Sequence, residues 1–134
     1  MHQDKPDITA FFTELAEVFS QSDLQRYRDF YLLPCLMVTE TGTVPLVGEA
    51  CFTATFHGIF VRLLGDNFAK CTFHALQVAS LAPTLTLATM CWKRYRTDGS
   101  LIEMLGVTYT LRQTPLGWRI VALVLHQPYA LTLP

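Results

Sequence analysis

The sequence predicts an α+β domain in which helices pack on one face of a strongly curved, mostly antiparallel sheet. In the first half of the chain, apolar residues recur at helical spacing. In the second half, long β-rich runs are separated by turn signals at 82–83, 98–99 and 115–117. The length of 134 residues fits one core, so we expect a single domain with short tails at 1–6 and 128–134.

Three helices are predicted in the first half. The first follows Asp7 as its N-cap. Its apolar stripe consists of Ile8, Phe11, Phe12, Leu15, Val18 and Phe19. The second starts at Ser22, where Ser-x-x-Gln has the form of a capping box, and includes Tyr31. The third starts at Gly48, again with helical spacing of apolar residues, and Gly65 is placed to cap its C-terminus.

Six strands complete the predicted fold. A short strand at 35–38 and a turn at 41–43 lead into a second short strand that ends near Val47. Four longer strands follow from Ala69 onward, separated by the turn signals named above. The sheet is therefore expected to come mainly from the second half of the chain.

The turn at 98–99 predicts the register of the central hairpin. Asp-Gly favours a two-residue type I′ turn, which sets Trp92 opposite Leu105 and Arg94 opposite Glu103. The opposite charges of the second pair support this register. With 82–83 as the tip of the preceding hairpin, the face of Trp92 also includes Met90, Phe73, Ala75 and Gln77.

The outer side of this sheet needs a cover. Charged residues make up only 16% of the chain, against ~25% in typical soluble domains, and 51% are hydrophobic. The last strand is apolar on both faces, with Ile120, Ala122 and Val124 alternating with Val121, Leu123 and Leu125. The simplest cover is the sheet of a second copy in a two-fold homodimer. The alternative is the C-terminal segment 129–134.

Charge and targeting signals exclude several kinds of partner. Lys and Arg number 10 against 11 acidic residues, so no positive field attracts nucleic acid or an anionic membrane. Residues 1–5 lack a signal-peptide pattern, and no apolar run approaches the ~20 residues of a membrane span, so we expect a cytoplasmic protein. The cysteines lack metal-ligand spacing and are expected to be buried thiols: Cys35, Cys51, Cys71 and Cys91.

Several motifs resemble one superfamily. They are Gly-Glu at 48–49, Trp-x-Arg-x-Arg-x-Asp-Gly-Ser at 92–100, Tyr-Thr-Leu-Arg at 109–112 and Gly-Trp-Arg-Ile at 117–120. This pattern resembles the nuclear transport factor 2-like superfamily, in particular its SnoaL-like and ketosteroid-isomerase-like bacterial members. The resemblance covers roughly residues 7 to 127 and implies a cystatin-like cone around an apolar cavity, often dimeric through the sheet. It implies no single reaction, because members include isomerases, dehydratases, cyclases and transport factors.

A comparison with the steroid isomerases of that superfamily leaves the site incomplete. Those enzymes use a carboxylate base and an oxyanion hole made by a tyrosine and a protonated aspartate. The matching positions here are Leu15 for the tyrosine, Thr39 for the base and Tyr109 for the aspartate. An isomerase would therefore need Glu40, next to Thr39, as its base and Tyr109 alone to polarise the substrate oxygen.

Three residues are candidates for acid–base chemistry. Glu40 would be the base, Tyr109 an inward-facing hydroxyl, and His126 a proton shuttle on the face of Ile120. Their ordinary alternatives are a solvated turn carboxylate, a hydroxyl bonded to the protein or water, and a hydrogen-bonded histidine at a strand end. Trp92, Phe73, Met90 and Leu105 form an apolar wall that either lines a ligand pocket or fills the core.

Two functions remain open. The first is binding of a small apolar molecule in the cone, either alone or with isomerase, dehydratase or cyclase chemistry that needs no cofactor or metal. The second is a non-catalytic dimerisation or interaction module whose interior is fully packed. Because nine Phe, five Tyr and two Trp can line a hollow or fill it, composition does not decide between them.

Overall fold

The fold of residues 4–134, described by a computed structural model, consists of three helices on one face of a six-stranded sheet. The elements are α1 (Asp4–Ser20), α2 (Leu24–Arg28), β1 (Tyr31–Thr39), β2 (Gly42–Leu46), α3 (Glu49–Gly65), β3 (Phe68–Ala82), β4 (Leu85–Arg96), β5 (Leu101–Thr114) and β6 (Gly117–His126). The strand order is β2-β1-β6-β5-β4-β3, and all neighbours are antiparallel except β1 and β6. The predicted fold class, a cystatin-like cone of three helices on a curved sheet, is confirmed.

Helix α1 buries the predicted apolar stripe. Ile8, Phe12, Leu15, Val18 and Phe19 are all buried, and the helix packs along β3. The predicted N-cap at Asp7 is wrong, because the helix already includes residues from Asp4 onward. The helix therefore begins within the segment 1–6 that was predicted as a tail. Residues 1–3, on which part of the targeting argument rested, lie outside the described range.

Helix α2 is shorter than predicted and has a different cap. The Asp23 carboxylate accepts the Arg26 backbone N–H at 3.1 Å, so Asp23 is the N-cap. Ser22 instead has a left-handed backbone with φ of 54°, and its predicted capping box is not formed. Tyr31 begins β1 rather than belonging to this helix.

Helix α3 follows Gly48 as predicted, but Gly65 is not its left-handed cap. The helix includes Gly65, and the left-handed residue is Asn67, with φ of 62°. Asparagine tolerates this conformation better than other side chains do. None of the helices in the described part of the chain, α3 included, is both long and apolar enough to cross a membrane.

The register predicted for the central hairpin is confirmed. Trp92 lies opposite Leu105 and Arg94 opposite Glu103. The connection, however, is not the predicted two-residue turn, because the register shifts by one residue beyond Arg94 and the Arg96 backbone N–H bonds the Ser100 carbonyl at 2.8 Å. A bulge thus absorbs the extra loop residue and preserves the pairing of the strands.

A bulge in β3 reverses the predicted orientation of its second half. Phe73 lies opposite Trp92, as predicted, but the register shifts between His74 and Gln77. Ala75 within this bulge has a left-handed backbone, with φ of 59°. Gln77 then lies opposite Thr89 and points away from the helices, so the predictions that Ala75 and Gln77 share the face of Trp92 are wrong.

A second irregularity changes the orientation of β6. Ile120 lies opposite Leu111 on the inner face, the face that packs on the helices. The register then shifts, and His126 lies opposite Gly106 on the outer face, the side away from the helices. The prediction that His126 shares the face of Ile120 is therefore wrong, because strand alternation does not continue through a bulge.

The C-terminal segment covers part of the outer face. The Tyr129 hydroxyl is hydrogen-bonded to His74 Nε2 at 2.5 Å, and the Leu133 N–H donates to Gln77 Oε1 at 2.7 Å. Beside this segment, Cys91 is only 2% exposed. Of the two predicted covers, the tail accounts for this region, while the side chains of Leu36 and Val124 remain exposed elsewhere on the sheet.

Candidate functional site

The interior of the cone is largely filled by aromatic rings. Phe12 of α1 packs against Tyr109 with ring centroids 4.7 Å apart, and against Trp92 at 6.5 Å. Phe73 contacts Trp92 at 5.3 Å from the neighbouring strand. Met90 is buried in the same cluster, and Leu105 is half-buried at its margin. The predicted apolar wall is thus present, and most of it serves as core.

A small cavity of about 20 Å³ remains between α1, α2 and the sheet. Its lining consists of Leu15, Phe19, Tyr27, Cys71, Trp92, Arg94 and Tyr109. A cavity of this size holds about one water molecule. Of the four residues predicted to line a ligand pocket, only Trp92 contributes to this cavity.

Two hydrogen-bonded pairs bring phenol groups to the cavity. The Trp92 indole N–H donates to the Tyr109 hydroxyl at 3.0 Å. The Tyr27 and Tyr31 hydroxyls share one hydrogen bond of 2.5 Å, so one proton of that pair is left over. Within residues 4–134, no side chain or carbonyl accepts the proton of Tyr109. Buried donors of this kind ordinarily find a partner.

Arg94 adds a charge to this lining. Its guanidinium lies over the ring of Phe19 at 5.1 Å and donates to Glu103 at 2.6 Å. Glu103 also pairs with Arg62 of α3 at 3.2 Å. Partial burial by itself would raise the pKa of Glu103, but the two arginines hold that pKa below its ordinary value. Glu103 is therefore ionised at neutral pH.

The other titratable groups of the cavity are proton donors at neutral pH. Burial raises the pKa of Tyr109 and of Tyr27 well above the ordinary tyrosine value. Burial likewise raises the pKa of the Cys71 thiol to about 11, so it is neither a thiolate nucleophile nor a base. The cavity can donate hydrogen bonds and supply positive charge, but its lining contains no proton acceptor of catalytic strength.

Glu40 and His126 lie away from this cavity. Both line an open groove of about 280 Å³ at the end of β6, together with Leu105. Tyr109 points into the cone instead. The structure therefore brings two of the three predicted catalytic residues to one groove and separates the third from them.

His126 has hydrogen-bond partners on both ring nitrogens. Nδ1 lies 2.8 Å from the Gln127 carbonyl, which can only accept, so this nitrogen carries the proton and donates. Nε2 then accepts from the Thr108 hydroxyl at 2.7 Å. A Cβ at Gly106 would lie 2.6 Å from the imidazole, so the absence of a side chain there makes room for the ring. His126 is therefore a hydrogen-bonded histidine at a strand end, the alternative to a proton shuttle.

Arg94 and Tyr27 line the cavity but were not predicted as site residues, and neither was Tyr31, the hydrogen-bond partner of Tyr27. In the sequence, Arg94 served only as the cross-strand partner of Glu103 that supports the hairpin register. The available signal was strand alternation, which places Arg94 on the same buried face as Trp92. Tyr31 was assigned to a helix, and its place beside Tyr27 depends on the strand that actually begins there.

Comparisons with known proteins identify the family and the fold. A family model described as NTF2-like protein (DUF6841) matches residues 4–128. No curated protein matches the chain.

Solved structures with a similar fold come from several bacteria. An NTF2-like protein with a cystatin-like fold from Novosphingobium aromaticivorans has a TM-score of 0.75 at 16% identity, covering 97% of this chain and 85% of its own. A protein of unknown function from Nostoc punctiforme has a TM-score of 0.73 at 12% identity, covering 100% and 98%. Aln2 from a Streptomyces species has a TM-score of 0.79 at 12% identity, covering 95% and 92%. These likenesses concern the fold alone.

Proposed function

Because the chain belongs to the NTF2-like protein family (DUF6841), whose cone can enclose a ligand, we propose that it binds a small molecule at the interior cavity. The observation that carries this proposal is the convergence of Tyr109, Tyr27 and Arg94 on one small cavity in an otherwise apolar core. Within residues 4–134, the proton of the Tyr109 hydroxyl has no acceptor, and burying a donor unpaired is destabilising. A ligand oxygen would accept this proton.

The cavity limits how the ligand lies. About 20 Å³ accommodates one polar group and not a complete ring. The apolar body of a ligand would therefore contact Leu15 and Phe19, which flank the cavity from α1, and those side chains would move to admit it. The predicted small apolar molecule thus becomes a molecule with an apolar body and one oxygen-bearing end.

The lining favours binding over acid–base catalysis. Isomerase, dehydratase or cyclase chemistry that proceeds by proton removal needs a base within hydrogen-bonding distance of the substrate. The neutral thiol of Cys71 and the protonated phenol of Tyr109 do not provide one. Glu40 and His126 line the separate groove at the end of β6. We therefore propose a binding protein without a reaction of this type.

A thermal-melt screen against oxygen-bearing apolar metabolites tests the proposal. A ligand at 100 times its dissociation constant stabilises the folded state by about 2.7 kcal/mol. The stabilisation should shrink in Tyr109→Phe, which removes one donor from the cavity. Tyr129→Phe is the matched control, because its hydroxyl bonds His74 on the outer face and should leave the shift unchanged. No shift across a broad library would contradict ligand binding.

A second candidate is an association module that works through a homodimer. Two observations favour it. The aromatic residues fill most of the interior, and the outer face exposes Leu36 and Val124 beside the region that the tail covers. A second copy of the sheet would bury these side chains. Dimer formation and ligand binding use opposite faces of the sheet, so the two proposals are compatible.

A further inference from the structure

Arg94 places a positive charge at the interior cavity, which favours a negatively charged ligand group there. Its side chain is only 14% exposed, and its guanidinium reaches the cavity from β4. Glu103 is shared between Arg94 and Arg62, so two positive charges face one negative charge and the group carries a net charge of +1. Glu103 pairs with Arg94 from outside the cavity, and the cavity lining itself contains no carboxylate.

Arg94 also retains unused hydrogen-bonding capacity. A guanidinium has five N–H donors in a planar fork. In the described part of the chain, Glu103 is the one acceptor for Arg94, through Nη1. The guanidinium carbon lies 5.1 Å from the centroid of the Phe19 ring, and this cation–π contact favours its observed position. Arg94 and Tyr109 both line the same small cavity.

We propose that this cavity recognises the carboxylate end of its ligand, with Arg94 forming the ion pair and the hydroxyls of Tyr109 and Tyr27 donating hydrogen bonds. The inference rests on the proposed ligand-binding function and names the class of ligand, a small carboxylic acid with an apolar body. No bond is made or broken in this recognition.

The size and sign of the site select a carboxylate over other end groups. An ammonium group would face the positive charge of Arg94 and donors without acceptors. A neutral amide or alcohol would leave the remaining N–H donors of Arg94 without a charged partner. A phosphate is tetrahedral and bulkier than a planar carboxylate, so it would require larger side-chain movements around a cavity of about 20 Å³. A planar carboxylate presents two acceptors and one negative charge, which match an arginine fork.

The test is a titration with acetate and with acetamide, which have nearly the same shape but differ in charge. The readout is the indole N–H resonance of Trp92, because that group donates to Tyr109 at the cavity. The Trp118 indole, which does not line the cavity, serves as the internal control. Ionic strength is held constant with sodium chloride. We expect the dissociation constant for acetate to be about tenfold or more below that for acetamide.

Two variants assign the effect to one arginine. Arg94→Met should abolish the preference for acetate, whereas Arg62→Met should keep it, because Arg62 contacts Glu103 but not the cavity. An unmoved Trp118 resonance reports that each variant is folded. If both variants lost the preference for acetate equally, the assignment to Arg94 would be overturned, and the preference would come from the overall positive charge of the two arginines.

In the unmodified protein, the shifts of the Trp92 resonance distinguish a failure of carboxylate recognition from a failure of ligand binding. Equal shifts of the Trp92 resonance with acetate and acetamide would overturn carboxylate recognition while leaving ligand binding in place. No shift with either compound, together with a negative metabolite screen, would overturn both. A shift with acetate alone supports both.

Discussion

At the scale of single residues, Glu103 links the stability of the fold to pH. Arg94 and Arg62 hold the pKa of its carboxylate below the ordinary value of about 4.5 despite partial burial. A depressed pKa means that the folded state binds a proton less readily than the unfolded state. The stabilisation is therefore complete above about pH 4.5 and is lost as the pH falls through the folded-state pKa.

Glu103→Gln should lower the free energy of unfolding at neutral pH and flatten its decline in acid. Urea unfolding from neutral pH down to about pH 3 measures both effects. Glu40→Gln, on an exposed turn, is the matched control and should cost less stability at neutral pH. If the acid slope of Glu103→Gln equalled that of the unmodified protein, the ion pairs would not be the source of the pH dependence.

How far the site could be predicted differs between two residues. Tyr109 was predicted to face inward, because the turn at 98–99 and the charge pair of Arg94 specify the hairpin register. Strand alternation places Arg94 on the inner face, but its contact with the ring of Phe19 could not be predicted, since that contact depends on how α1 packs on the sheet. A pairing along the sheet is visible in sequence, whereas a contact between layers requires the tertiary structure.

At the scale of elements, a β-bulge reverses which face of the sheet the following side chains occupy, so facing predicted from strand alternation is wrong beyond it. The irregularity in β3 places Ala75 in a left-handed conformation that Gly or Asn usually adopts, so the sequence carries no signal for it. The shift in β6 likewise has no turn residue to mark it. Predictions before each bulge, such as Phe73 opposite Trp92, are confirmed, and predictions beyond it, such as the face of His126, are wrong.

Gly106 is the element-scale residue whose substitution should be most informative. A Cβ there would lie 2.6 Å from both the His126 ring and the Gln127 carbonyl. Gly106→Ala should therefore destabilise the fold by about 1–3 kcal/mol through overpacking where β6 ends.

Gly58→Ala is the control, and it should have the opposite effect on stability. Gly58 is exposed in α3 and has nothing within 4 Å of an added Cβ, so alanine should stabilise the helix by about 0.5–1 kcal/mol. Denaturant midpoints of both variants measure the contrast. A Gly106→Ala protein as stable as Gly58→Ala would mean that the His126 ring moves freely out of its hydrogen bonds.

At the scale of the whole molecule, composition predicted a need for cover but not its source. A low share of charged residues indicates an apolar surface that needs cover, and either a second copy or the chain's own tail could cover it. The tail accounts for part of the cover, through Tyr129 on His74 and Leu133 on Gln77. Which part it covers depends on the path of the segment after β6, and short irregular segments have no periodicity from which to derive a path.

The exposed remainder of the outer face makes the homodimer testable. Leu36 on β1 and Val124 on β6 are 43% and 40% exposed, on neighbouring strands. If a second copy packs there, sedimentation velocity should show a dimer, and Leu36→Asp should convert it to a monomer by placing a charge in the interface. Leu116→Asp, on the turn before β6 and 81% exposed, should remain dimeric. A monomer at high protein concentration would instead mean that the tail is the only cover the sheet needs, and that these two side chains are ordinary exposed apolar residues.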